Sequence, residues 1–160
     1  MKVLTVIDSF KGSMSSLEAG QAVAEGIHRV DPDADVVVRA LADGGEGTVE
    51  ALVSNRNGIL QSVEVTGPLG TPVTCEYGVL QDTGTAVIEM AKAAGLVLVP
   101  EEKRNPLYTT TFGVGEVIRD AIRRGCRDFI IGIGGSATND GGVGMLQALG
   151  YGFLDKTGHQ

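Results

Sequence analysis

Apolar and polar positions along the 160-residue chain follow two periods, and the changes between them divide it into predicted elements. Val3 to Ile7 is a short apolar run that predicts a buried strand, with Asp8 at its carboxyl end and Ser9-Phe10-Lys11-Gly12 after it. Ser15 and Glu18 make a capping box, and Leu17, Val23, Ile27 and Val30 give the next helix its apolar stripe. Asp31-Pro32-Asp33 ends that helix. Val36 to Val38 begins a second buried strand running into residues 41–48, and Val49, Leu52 and Val53 start a second helix that Gly58 caps or follows.

From Ile59 the period becomes 2. Val63 and Val65 alternate, residues 66–70 turn, and Val73, Cys75, Tyr77 and Val79 fall on one face of a strand. After a turn at Asp82-Thr83-Gly84 comes another strand, Ala86 to Met90, so residues 59–90 read as an antiparallel meander. Residues 100–108 form an irregular charged loop. A third helix starts at Thr111 or Gly113, with Val117, Ile118, Ala121 and Ile122 inward and Gly125 ending it. Phe129-Ile130-Ile131 has the look of a strand buried on both faces, and Val143, Leu146 and Leu149 recur at helical spacing beyond it. The fold class expected is α/β: a Rossmann-like parallel sheet of strand-helix units over 1–58 and 91–160, interrupted by the meander.

Between the last strand and helix lies the stretch with the most chemistry. Residues 132–142 read GIGGSATNDGG, with five glycines in eleven positions and only short polar side chains. Helix N–H groups and a positive dipole end point into such a gap, and glycine lets the backbone approach a ligand closely. Gly134, Gly135, Ser136, Thr138, Asn139 and Gly141 are therefore candidate phosphate or polyol contacts, whereas a plain glycine turn with a self-capping Asn-Asp pair is the bland reading. The same order of buried strand, polar glycine loop and helix recurs at residues 8–12 and 43–48. If the three strands lie parallel in one sheet, their loops share its carboxyl edge. Asp8, Lys11, Asp43, Glu46, Asn139 and Asp140 would then meet there. That inventory suits phosphoryl transfer, with a base, magnesium ligands and a cation for phosphate charge. Each also has an ordinary reading, as a turn residue, a helix-dipole acid or a solvated lysine.

Composition narrows the partners. A formal net charge of −7, with basic residues scattered, leaves no electrostatic footprint for nucleic acid. Glycine, 24 of 160, is about twice ordinary usage but has no collagen period, so the excess belongs in turns and close approaches. Cys75 and Cys126 lack metal-site spacing and suit buried thiols of a reducing cytosol. No stretch approaches membrane-spanning length, and a soluble, cytoplasmic chain is expected, with a homo-oligomer left open. A GxxxxGK[ST] P-loop is absent. Gly132-Ile133-Gly134-Gly135-Ser136-Ala137 does match the dinucleotide pattern G-x-G-x-x-A, with Asp155 some twenty residues on, which keeps an oxidoreductase as an alternative.

Five blocks taken together resemble the glycerate kinase family that includes bacterial glycerate 2-kinases. They are residues 8–12 (DSFKG), 42–48 (ADGGEGT), 65–70 (VTGPLG), 104–107 (RNPL) with 109–111 (TTT), and 132–142. The resemblance spans nearly the whole chain. It implies ATP-dependent phosphorylation of D-glycerate, usually to 2-phosphoglycerate, with magnesium, on a two-domain α/β fold. It places Asp8, Lys11, Asp43, Glu46, Asn139 and Asp140 in family motifs. On this reading Asp8 or Asp43 orients or deprotonates the glycerate hydroxyl, Lys11 neutralises phosphoryl charge, and Glu46 or Asp140 helps hold magnesium. Family members are considerably longer, so the chain, stopping after a strand-like Tyr151 to Leu154, is expected to be an amino-terminal portion without activity by itself. A non-catalytic ligand-binding remnant is the other alternative.

Overall fold

The strands divide between two sheets, as seen in a computed structural model that describes residues 1–10 and 13–159. β1 (Lys2–Ile7) and β2 (Asp35–Ala40) pair in parallel, from Lys2 opposite Asp35 to Ile7 opposite Ala40. The helix between them, α1 (Ser16–Val30), begins with the expected capping box. Its Ser15 side chain accepts the Glu18 N–H, and the Glu18 carboxylate accepts the Ser15 N–H at 2.8 Å. The Ser16 hydroxyl then donates to Ile7 O and accepts the Leu41 N–H at 2.9 Å, which ties the carboxyl ends of β1 and β2 together.

The apolar stripe expected on α1 is not its buried face. Ser16, Ala19, Gly20 and Ala24 are buried, while Val30 is 88 % and Val23 43 % exposed. Close packing explains this, since a Cβ at Gly20 would collide with the Val38 side chain. The helix approaches the sheet along its small residues, and the large ones are left at the flank. β1 itself is buried at Thr5 but exposed at Leu4 (64 %) and Val6 (42 %), because only one face of this two-stranded sheet is covered by α1.

The second sheet has the order β3-β4-β5-β6. β3 (Gly58–Thr66), β4 (Pro72–Leu80) and β5 (Thr85–Glu89) form the expected antiparallel meander. β6 (Phe129–Gly132) pairs in parallel with β5, from Ala86 opposite Phe129 to Glu89 opposite Gly132. The expected single parallel sheet is thus replaced by a parallel pair and a mixed sheet, in a mixed α/β fold. Being an edge strand, β6 is not buried on both faces, and Ile130 and Ile131 are 40 % and 37 % exposed. Residues 151–154 form no strand and are exposed.

Helices cover both faces of the second sheet. On one, Cys75 and Tyr77 of β4 and Ala86 and Ile88 of β5 pack against α3 (Ala91–Ala94) and α4 (Phe112–Arg123), with Val73 and Val79 at the margin. The period-2 face read in β4 is therefore a core face. Leu80 and Val87 point the other way, onto Val49, Leu52 and Val53 of α2 (Thr48–Asn55). α2 ends before Asn57, which takes a left-handed φ of 50°, and Gly58 opens β3. Both cysteines are buried and unpaired, and burial pushes the Cys75 thiol up to about 12. α5 (Val143–Ala148) packs on α4. No helix among the described residues is long and apolar enough to cross a membrane.

Candidate active site

Two glycine loops meet where β2 and β6 end. The Gly134 N–H donates to Gly44 O at 3.0 Å, joining the loop after β2 to the loop after β6 across the gap between the sheets. A Cβ at Gly134 would stand 2.7 Å from Gly45 Cα, so only glycine permits this approach. The first loop is held from within. Asp43 Oδ1 accepts the Gly45 N–H at 3.0 Å, and the Thr48 hydroxyl donates to Gly45 O at 2.8 Å.

Glu89, at the carboxyl end of β5, fixes the start of α2. It is 2 % exposed, and its Oε1 accepts the Val49 N–H at 2.8 Å. The carboxylate thereby satisfies one of the unpaired donors of the helix's first turn and sits at the positive end of its dipole. Beside it opens a cleft of about 490 Å³, lined by Ser9 from the loop after β1, Glu46 from the loop after β2, and Glu89 and Lys92. The loops after β1 and β2 do converge here, as parallel strands require. Its lining holds five glutamates and one lysine among the described residues, so an anion entering it must bring or find positive charge.

Asp140, expected as a magnesium ligand, stands at the centre of a hydrogen-bond network. Its carboxylate accepts the Thr111 N–H at 2.9 Å and the Thr111 hydroxyl at 2.8 Å, together with the N–H groups of Gly142 at 3.0 Å and Gly144 at 3.2 Å. Thr111 Oγ1 in turn accepts the Met145 N–H at 2.9 Å. Asp140 and Thr111 together cap α5 and bind it to the start of α4. Burial acts to raise the Asp140 pKa, but these hydrogen bonds outweigh it and hold the group below the ordinary carboxylate value. Both carboxylate oxygens accept hydrogen bonds, and through them Asp140 shapes the loop.

The remaining expected residues separate. Ser136 and Thr138 line a second cavity of about 270 Å³ with Arg104 and Asn105. Gly135, at φ 72°, and Gly141, at φ 63°, take left-handed turns in the loop. Asp8, Asp43 and Asn139 are exposed and line neither cavity. Lys11 lies outside the described residues. Magnesium takes oxygen ligands, commonly one or two carboxylates with the rest from substrate phosphates and water. Glu46 in the cleft is a donor of that kind. Among the described residues no group of three or more His, Cys, Asp or Glu side chains is arranged to hold an ion unaided. The dinucleotide reading loses its context, because the helix begins at Val143, well after the G-x-G-x-x-A segment has ended.

Sequence reasoning passed over Glu89, Lys92, Arg104 and Asn105 as site residues. Glu89 did carry a signal, a carboxylate closing an otherwise apolar strand. The pairing of β5 with β6 places that strand's carboxyl end beside the glycine loop.

Comparison with known proteins identifies the family of the chain. Residues 3–160 match the glycerate kinase family model. The chain is 57 % identical over 155 residues to a glycerate kinase of Haemophilus influenzae, which covers 97 % of this chain and 41 % of that protein. It is 55 % identical to a glycerate kinase of Bacillus subtilis and 51 % identical to the glycerate 2-kinase of Escherichia coli, each over 160 residues, all of this chain and 42 % of the relative. A crystal structure from Salmonella typhimurium LT2, described as glycerate kinase 2, superposes with a TM-score of 0.88 at 52 % identity, covering 100 % of this chain and 43 % of that one. The chain spans about two fifths of the length of these relatives, and by sequence and fold alike it belongs to the glycerate kinase family.

Proposed function

We propose that the full-length protein carrying this chain transfers the γ-phosphoryl group of ATP to D-glycerate, giving 2-phosphoglycerate, and that the present residues form one side of the cleft of a two-domain fold. The observation that carries this reading is the contact between Gly134 and Gly44, which sets an acid-bearing loop against a glycine-rich one at the ends of β2 and β6, across the gap between the sheets. Phosphoryl transfer is mostly a matter of positioning and charge, and this edge supplies both. Asp8 or Asp43 orients the acceptor hydroxyl or takes its proton, and Lys11 neutralises the transferred charge. Glu46 or Asp140 helps hold magnesium, whose chemistry when bound is to neutralise phosphate oxygens. Gly135, Ser136, Thr138, Asn139 and Gly141 present N–H and hydroxyl donors to phosphate or to the glycerate carboxylate, and Gly134, whose own N–H is spent on Gly44 O, lets the backbone come close. Asp140 keeps that loop in shape.

Asp8, Asp43 and Glu46 are exposed in the 160 residues taken alone. Phosphoryl transfer needs water excluded, so this stretch by itself is expected to show no turnover. Calorimetric titration of the full-length protein with D-glycerate, ATP and NAD in parallel tests the reading. Saturable binding of glycerate and ATP, with none of NAD, is expected. Binding of NAD alone would replace the kinase with a dinucleotide-dependent oxidoreductase, and binding without turnover would leave a non-catalytic remnant.

A further inference from the structure

The cavity between residues 96–106 and 135–138 has a character opposite to that of the acidic cleft. Its lining contains no acidic side chain and includes Arg104, Asn105, Ser136 and Thr138. We propose that it is an oxyanion subsite, which takes the carboxylate or phosphate group of a small substrate through these four side chains.

The hydrogen-bonding capacity left over in the cavity includes donors from each polar side chain type that lines it. Asn105 Oδ1 accepts the Leu107 N–H at 3.1 Å, and its amide NH₂ makes no hydrogen bond among the described residues. Ser136 Oγ accepts the Thr138 N–H at 3.1 Å and lies 2.9 Å from Thr138 Oγ1. Two paired hydroxyls use one proton between them, and among the described residues the other acceptor for Ser136 Oγ, Thr138 O, is at a long 3.4 Å. Arg104 spends its Nε on Val99 O at 3.3 Å, and no carboxylate among the described residues lies within ion-pair distance of it. Its remaining guanidinium donors have the fork geometry that matches carboxylate and phosphate oxygens. In a chain of net charge −7, a cavity lined this way selects anions locally.

The walls are also fastened before any ligand arrives. The Thr109 hydroxyl donates to Ala137 O at 2.8 Å, the Ala137 N–H to Ala94 O at 2.9 Å, and the Leu96 N–H to Gly135 O at 2.9 Å. Such bracing lowers the ordering cost of binding. At about 270 Å³ the space is below the usual range for drug-sized ligands, about 300–1,000 Å³, and suits a small anion.

The subsite rests on the kinase reading only for the identity of its anion. Titration of the full-length protein with D-glycerate, inorganic phosphate and glycerol, for wild type and for Arg104→Gln, Arg104→Lys and Ser136→Ala, tests it, with thermal melting as the folding control. Arg104→Gln should weaken at least one of the two anions tenfold or more, Arg104→Lys less so, and Ser136→Ala threefold or more. Whichever anion responds identifies the group bound, and glycerol should not bind. Wild-type protein that binds neither anion, or a folded Arg104→Gln that binds both within twofold of wild type, would overturn the proposal. Should Arg104→Gln fail to fold, unchanged anion affinity in Ser136→Ala has the same force. Arg104-dependent phosphate binding without any glycerate-dependent ADP release would leave the subsite standing and remove the kinase reading.

Discussion

Asp140 accepts both the backbone N–H and the hydroxyl of Thr111, at 2.9 and 2.8 Å, and so joins the end of the glycine loop to the first turn of α4. Thr111 is 5 % exposed, and removal of the carboxylate would strand its donors and those of α5. A lost helix cap costs about 0.5–2 kcal/mol and a stranded buried group about 1–3. Asp140→Ala is expected to destabilise the protein by about 2–4 kcal/mol in urea unfolding, with Asp140→Asn intermediate. A loss below about 0.5 kcal/mol would show that the network carries no weight.

The same group sets a pH dependence. Its folded pKa lies below the unfolded carboxylate value of about 3.9. A depressed carboxylate pKa contributes stability that is fully present above the unfolded value and is lost as pH falls through the folded one. Wild-type stability should therefore be insensitive to this group at neutral pH and decline below about pH 4, and the decline should be shallower in Asp140→Asn. Parallel acid-unfolding curves for the two proteins would contradict the assignment.

Gly134→Ala tests whether the two loops must touch. The added Cβ would meet Gly45 Cα at 2.7 Å, and backbone atoms on both sides leave little room to yield. Overpacking of this kind costs about 1–3 kcal/mol, and the loops should separate. The expected result is a lower melting temperature together with a raised KM for substrate in the full-length protein. Unchanged melting and KM would mean that the contact is loose.

Glu89→Ala should release the Val49 N–H and destabilise the protein by about 1–3 kcal/mol, while Glu89→Gln keeps an acceptor in place and retains most of that stability. Chemical denaturation of the pair checks this. Equal losses in both variants would assign the effect to charge at the helix end and not to the hydrogen bond.

These residues also show what the sequence could and could not convey. The capping box of Ser15 and Glu18 is local, and so is the alternation of Val73, Cys75, Tyr77 and Val79; both were legible because each pattern is complete within a few consecutive residues. The stripe on α1 was legible only in part, with Leu17 and Ile27 half-buried, because small side chains make the closest approach at Ala19, Gly20 and Ala24 and stand out less in the pattern than large ones. The choice of β5 as partner of β6 was invisible, since the strands pair across some forty intervening positions and either parallel neighbour would satisfy the pattern. Site geometry depended on the same kind of distant pairing. Asp140 meets a threonine 29 positions away, and Glu89 a helix start 40 positions away, and no local motif announces either.

The central claim is that this edge of the fold belongs to an enzyme that phosphorylates D-glycerate. The most direct measurement is ADP release by the purified full-length protein with ATP, magnesium and D-glycerate, with the product identified by phosphorus NMR. Turnover within the ordinary enzymatic range of about 1 to 10³ per second, dependent on D-glycerate and yielding 2-phosphoglycerate, is the predicted result. A folded protein that binds ATP but releases no ADP in response to D-glycerate would contradict it.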